Sequence, residues 1–263
     1  MTRPHLPPGK AVRYNYNIVL KNLPESFCGF KIAHISDLHS RPAKNIAELI
    51  KGADPDIIVI TGDLLNDDNK PTDEIDAVIG KLLDIAPCYF ISGNHDLWRM
   101  GYQNIFDTYE ELGAVFMDKK TVTIEKNGEK IGISGCPDPF SRLPQPMTEN
   151  VQENLDALKK IDGFNILLFH RANLFDLIKD SGYDLILSGH MHGGQVRIPG
   201  LGGVLAPSSS MLSKTRMLFP KYTGGVVTSD NTTMIINRGV SNTLPIPRLG
   251  NPPEVGIITL TNK

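Results

Sequence analysis

Asp56-Ile57-Ile58-Val59-Ile60-Thr61-Gly62-Asp63 is the stretch on which the fold turns. Four consecutive branched aliphatic residues suit a strand buried on both faces, as in a parallel sheet covered by helices. The run is approached through Ala43 to Gly52, where Ile46, Leu49 and Ile50 have helical spacing. It is left through Thr72, a good helix N-cap residue, which opens a helix to Leu83. Lys31 to Ser36 is a shorter strand on one side and Cys88 to Ser92 one on the other. Tyr102 to Leu112 is amphipathic and stops at Gly113, a favourable residue just past a helix end. Strand and helix alternating in this way predict right-handed βαβ units and a parallel sheet.

Beyond residue 120 the pattern changes. Thr121 to Glu125 and Lys130 to Ser134 flank Asn127-Gly128, a strong hairpin signal. A helix is expected over Glu149 to Lys160, a strand over Phe164 to Phe169, a helix near Leu174 to Lys179 and a strand over Asp184 to Ser188. Gly224 to Thr228, Met234 to Asn237 and Val255 to Leu260 read as antiparallel strands, and Asn17 to Leu20 as the strand that starts the fold. The expected fold class is α/β: two mixed β-sheets packed as a sandwich flanked by helices, in one domain over residues 1–263. Gln195 to Lys221 fits no element. Its Leu201, Leu205, Met211, Leu212, Leu218 and Phe219 follow no period, and a segment this long is either an irregular cover or an active-site lid.

The bulk numbers exclude several classes. Of 263 residues, 40% are hydrophobic and 21% charged, as in ordinary globular chains. A formal net charge of −2 gives no global case for binding nucleic acid or anionic lipid. Three cysteines, Cys28, Cys88 and Cys136, form no CxxC pair, so reduced thiols are expected. Neither a signal-peptide pattern nor a membrane-spanning run is present, so the expectation is a cytoplasmic protein, with an anchor upstream of residue 1 left open.

The polar residues that follow each apolar strand carry the chemistry. They are Asp37 and His39; Gly62 and Asp63; Gly93, Asn94, His95 and Asp96; His170; and Gly189, His190 and His192. Ligands bind at the carboxyl ends of strands in open α/β sheets, so these groups should converge on one edge. Five of the seven histidines sit there; His5 and His34 do not, and His34 reads as a sheet residue. Taken singly, Asp63 is as much a turn former as a ligand, and a lone His170 is more often a hydrogen-bonded core residue. Taken together, five such coincidences favour a site. Carboxylates, imidazoles and one amide without thiolate suit Mn, Fe, Zn or Ni. The donors outnumber what one ion needs, and two ions about 3.5–4 Å apart sharing a carboxylate would use them.

In order and character, Asp37-Leu38-His39, Gly62-Asp63, Gly93-Asn94-His95-Asp96, His170 and Gly189-His190-Met191-His192 resemble the five signature blocks of the calcineurin-like metallophosphoesterases. Gly193-Gly194-Gln195 and Asn251-Pro252-Pro253-Glu254 resemble the bacterial subgroup of YkuE-type phosphodiesterases and UDP-diacylglucosamine pyrophosphatases. The resemblance implies that Asp37, His39 and His192 hold one metal ion, Asn94, His170 and His190 a second, and Asp63 both. A hydroxide between the ions would attack phosphorus, and His95 would stabilise the phosphoryl charge or protonate the leaving oxygen. Protein phosphatases of the family orient that histidine with an Asp three residues after the bridging one; here Asn66 stands there, followed by Asp67. That disfavours a protein substrate. The subgroup resemblance, with the apolar residues of Gln195 to Lys221, implies a phosphodiesterase or pyrophosphatase acting on a small, lipid-linked or nucleotide-linked ester. A non-catalytic scaffold and a nuclease on the same fold are the alternatives. Arg41, Arg171 and Arg197 closely follow metal blocks and are candidate phosphate contacts. Peripheral contact with a membrane or lipid is compatible with this reading, and no obligate nucleic-acid partner is expected.

Overall fold

The computed structural model describes residues 9–68, 71–140, 147–205, 207, 218–242 and 246–263. The first half of the chain lays down β1 (Val12–Val19), β2 (Lys31–Ile35), β3 (Ile57–Thr61), β4 (Cys88–Ile91) and β5 (Val115–Phe116). The second half adds β6 (Thr121–Lys126), β7 (Glu129–Cys136), β8 (Phe164–Arg171), β9 (Leu185–Gly189), a small hairpin β10 (Arg197–Ile198) and β11 (Gly202–Gly203), then β12 (Gly225–Thr228), β13 (Thr233–Ile236) and β14 (Glu254–Thr261). Helices α1 (Ile46–Lys51), α2 (Asp73–Leu83), α3 (Asn94–Trp98), α4 (Tyr102–Glu111), α5 (Met147–Asp156) and α6 (Phe175–Ile178) connect them.

Two six-stranded sheets result, ordered β1-β14-β2-β3-β4-β5 and β12-β13-β9-β8-β7-β6. The doubly apolar strands explain the layering. Ile32, Val59 and Ile91 of the first sheet meet Ile133, Ile166, Leu168 and Leu187 of the second in the sandwich interior. The alternate residues Ala33, Ile58 and Ile60 pack outward against Ile46, Ile79 and Leu82 of the helices. On the far side Leu167, Phe169 and Ile186 pack against Val151, Leu155 and Phe175. The expected α/β sandwich flanked by helices is therefore the observed architecture.

Several local expectations shift. The first strand begins at Val12, because Tyr14, Tyr16 and Ile18 alternate with exposed residues along β1. The helix expected to reach Lys160 ends at Asp156, and the one expected near Leu174 is a 3-10 turn, Ala172–Leu174, running into α6. The last strands are not uniformly antiparallel. Strand β13 pairs antiparallel with β12 but parallel with β9, and β14 returns to the first sheet, antiparallel to β2 and parallel to β1. Of the unperiodic segment, Met211 and Leu212 lie outside the described residues; Leu201, Leu218 and Phe219 are exposed. Among the described residues no helix is long and apolar enough to cross a membrane.

Candidate metal centre

The parallel strands β2, β3, β4, β8 and β9 end on one edge of the sandwich; His170 is the last residue but one of β8 and Gly189 the last of β9, and the other residues of the five blocks stand just past the strand ends. Backbone pairing draws the turns together: Asp37 N donates to Gly62 O at 3.0 Å and His39 N to Asp63 O at 2.9 Å. Five of the polar side chains hang from left-handed backbone: Asp37 (φ 56°), His39 (48°), Asp63 (53°), His190 (72°) and His192 (47°). Non-glycine residues rarely adopt this region, and strain of about 1–3 kcal/mol each is characteristic of functional sites. Two glycines make the crowding tolerable. At Gly62 (φ +86°) a Cβ would sit 2.7 Å from His170 Nδ1 and 2.8 Å from Gly93 N; at Gly189 it would collide with Ser36 Oγ.

The side chains fall into two overlapping clusters. Asp37 Oδ1 lies 3.8 Å from His39 Nε2 and 3.5 Å from His192 Nε2, and the two imidazole nitrogens are 3.3 Å apart. His170 Nε2 lies 3.2 Å from His190 Nδ1 and 3.3 Å from Asp63 Oδ2. The same Asp63 Oδ2 is 3.6 Å from His39 Nε2, so one carboxylate oxygen faces both clusters. His170 donates Nδ1–H to Thr61 O at 2.7 Å, which leaves the Nε2 lone pair turned inward.

These residues fit a pair of metal ions. Ligand atoms at about 2.0–2.2 Å from one ion lie roughly 3–3.6 Å from each other, and the separations in the two clusters run from 3.2 to 3.8 Å. Among the described residues Asp37 Oδ1 and both polar atoms of the Asn94 amide are buried without a hydrogen-bond partner, a costly arrangement unless an ion takes them up. Burial pushes His39 and His192 down to about 3, which keeps them neutral and able to ligate. Burial acts in the same direction on His170, but the Asp63 carboxylate overrides it and lifts that ring to about 10. A proton would thus stand between His170 and Asp63 where an ion competes for the same lone pairs.

His95 lies against this cluster and differs from it. Its ring meets His39 edge to face at 4.8 Å and tilts on Trp98 at 4.7 Å, yet its side chain stays 25% exposed. Burial lowers its pKa, but Asp63 and Asp67 outweigh burial and raise it. Asp67 Oδ1 stands 3.6 Å from His95 Nδ1, beyond hydrogen-bond distance but near enough to favour the charged ring, while the Asn66 side chain lies beside His39.

A scan against family models matches residues 30–194 to the calcineurin-like phosphoesterases. The chain belongs to that family. Among relatives, it is 30% identical to the uncharacterized metallophosphoesterase YkuE of Bacillus subtilis, over 90% of this chain and 81% of that protein. It is 30% identical to the uncharacterized protein YpbG of the same organism, over 87% and 80%. Phosphodiesterase YaeI of Escherichia coli is 28% identical, over 88% and 82%. Among solved structures, TT1561 of Thermus thermophilus superposes with a TM-score of 0.55 at 14% identity, over 81% of this chain and 90% of that one. This phosphoesterase is accordingly a metal-dependent phosphoric ester hydrolase, of a family that uses a dinuclear metal site.

Three residues named from sequence as phosphate contacts separate in the structure. Arg41 is exposed on the turn after His39, lining a shallow cleft of about 180 Å³ with Asp68, Asp73 and Glu74. Arg197 is half-buried and donates to Gly193 O and Thr223 Oγ1, both at 3.1 Å. Arg171 corrects the sequence reading: it is fully buried and forked on Asp138, with Nη1 3.4 Å from His190 Nε2. Its guanidinium lies behind a histidine of the cluster, out of reach of substrate.

Several residues to which sequence reasoning assigned no role hold the site together. Asp96 accepts from the backbone of Leu65 at 2.7 Å, Gly93 at 2.8 Å and Leu64 at 3.3 Å, tying the turn after β3 to the start of α3. Asn251 donates to His192 O at 2.7 Å and Gln195 O at 3.2 Å. Arg248 Nη2 lies 3.4 Å from His192 Nδ1. Asp96 stands inside a quoted block and Asn251 in the Asn-Pro-Pro-Glu tail; Asp138 and Arg248 carry no local signal.

Proposed function

We propose that the chain hydrolyses a phosphodiester or diphosphate ester at a two-ion centre. Asp37, His39 and His192 would hold one ion, Asn94, His170 and His190 the other, and Asp63 both. The observation that supports this is the place of Asp63 Oδ2, 3.6 Å from His39 Nε2 and 3.3 Å from His170 Nε2. Nitrogen and oxygen donors without thiolate suit Mn, Fe, Zn or Ni. Bound ions would neutralise phosphoryl oxygens and bring the pKa of a coordinated water toward neutrality.

The chain's own groups supply the remainder. With Asp67 near Nδ1, His95 would turn Nε2 to the site, and a raised pKa favours a proton there for the leaving oxygen. Arg41 and Arg197 stand at the rim, where their forks meet phosphate oxygens. The lobe that follows His192 exposes Ile198, Leu201, Leu218 and Phe219, which favours an ester with an apolar or acyl-bearing half.

Metal analysis and turnover test the core of this reading. Protein purified without chelator should carry two equivalents of transition metal and cleave an aryl phosphodiester, with activity lost on chelation and restored by Mn. One equivalent of metal, or turnover of monoesters alone, would overturn it. Replacing Leu201 and Phe219 together by Ser tests the apolar half. Each side chain withdrawn from water is worth about 1.5–3 kcal/mol, so for the pair an acyl-bearing diester should lose up to roughly 10²–10⁴-fold relative to an aryl diester. Equal loss on both substrates would show the lobe to be structural.

A further inference from the structure

Beside the metal edge, among the described residues, three arginines gather around one ion-paired carboxylate and the β1 side chains Tyr14 and Tyr16, with Asp37 on the far side of Arg248. Glu254, the first residue of β14, is buried there. It accepts from Tyr16 O–H at 2.6 Å and faces Arg238 Nε at 3.2 Å. The Arg238 guanidinium lies over the Tyr14 ring at 4.4 Å, which fixes its plane. Arg197 reaches the same point: a Cβ on Gly224 would sit 3.2 Å from Arg238 Nε and 3.3 Å from Arg197 Nη1. Arg248 adjoins them, donating Nη1–H to Arg238 O at 2.8 Å and Nε–H to Ser241 O at 2.9 Å.

The charges do not balance. Glu254 accounts for Arg238, but neither Arg197 nor Arg248 has a carboxylate within ion-pair distance among the described residues. The terminal nitrogens of Arg238, and Nε and Nη2 of Arg197, make no hydrogen bond among the described residues. All three arginines remain partly open to solvent. Neighbouring like charges are unfavourable at low dielectric, and burial together with the Arg238 cation holds Arg197 below its ordinary pKa. An anion with several oxygens would take up the free donors and relieve the repulsion, since a guanidinium fork matches two phosphate oxygens. The position is informative as well. Arg197 contacts the carbonyl of Gly193, next to His192, and Arg248 contacts the His192 ring. The cluster thus borders the pocket formed by Asp37, His39 and His192.

We propose that Arg197 and Arg238, with Arg248 behind them, form a subsite for a second phosphoryl group of the substrate, so that the preferred esters are diphosphates rather than simple diesters. This rests on the two-ion reading for the place of the first phosphoryl group.

Calorimetric titration of the Mn-loaded protein with orthophosphate and with pyrophosphate tests it without requiring turnover. Arg238→Gln should weaken pyrophosphate binding roughly ten- to a hundredfold, the weight of charge-assisted hydrogen bonds, and orthophosphate binding much less. Arg197→Gln should do the same, and carries the test if the melting curve shows that Arg238→Gln does not fold. Equal weakening of both anions, or no change for pyrophosphate, would overturn the proposal. Repeating the titration on chelated protein separates the two readings: an arginine-dependent preference for pyrophosphate should persist there even if the protein holds only one ion.

Discussion

Arg171 and Asp138 form a two-point ion pair closed to solvent, with Nε to Oδ2 at 2.6 Å and Nη2 to Oδ1 at 3.2 Å, directly behind His190. Removing one partner of such a pair leaves a buried charge uncompensated, at about 3–5 kcal/mol. Asp138→Ala should lose that much stability in urea titrations of chelated protein. Because the pair also backs a proposed ligand, affinity for one of the two ions should fall by about 10–100-fold. A variant with wild-type stability and metal titration would show the pair to be incidental.

Asp63→Ala should remove metal from both positions and abolish turnover, since one carboxylate oxygen faces His39 and His170 alike. Elemental analysis of the purified variant is the check. Two tightly held ions in the variant would make the shared-ligand assignment wrong.

His95→Ala should leave metal content near wild type while kcat falls by about 10²–10⁴. The deficit should shrink on esters with acidic leaving groups, which depart without a proton. Asp67→Ala should show the same dependence on leaving group in weaker form, because Asp67 acts through His95 Nδ1. A deficit independent of leaving-group pKa would count against proton donation.

Asp118, which follows β5, gives a pH dependence of stability. Its buried carboxylate accepts from the Ser92 backbone at 3.0 Å and the Ser92 hydroxyl at 2.5 Å, and burial pushes its pKa up to about 6. A raised folded-state pKa means that the folded protein holds the proton more tightly than the unfolded chain. The associated stability is present below the ordinary carboxylate range near pH 4 and is lost as pH rises through about 6. The change amounts to roughly 3 kcal/mol. Asp118→Asn should therefore gain on wild type between pH 4 and 7 in melting experiments. A constant difference across that range would show that Asp118 does not titrate there.

Much of the site was legible before the fold. Each metal block follows an apolar run, and a parallel strand delivers the residue after it to the sheet edge whatever its neighbours are. That is why Asp37, Asp63, Asn94, His170 and His190 could be placed together from their spacing, and why His34, inside β2, could be set aside: it is buried there with Nε2 2.9 Å from Thr61 Oγ1. The alternation of Tyr14, Tyr16 and Ile18, not read as strand from the sequence, extends the first strand upstream of its expected start at Asn17.

The sequence by itself determined the strand–helix order, the hairpin at Asn127-Gly128 and the identity of the donor residues, because these depend on local periodicity, turn chemistry and side-chain type. Tertiary structure decided the rest. Strand partners are set by long-range pairing, so β14 returns to lie between β1 and β2 with no local signal to announce it. Side-chain aim depends on backbone that only the assembled edge holds in place, as in the left-handed conformations of Asp37, His39, Asp63, His190 and His192. The role of an arginine depends on which carboxylate it meets. Arg171 meets Asp138, 33 positions away, and is withdrawn from the surface, whereas Arg238 shares Glu254 with Tyr16 and its terminal nitrogens make no hydrogen bond among the described residues.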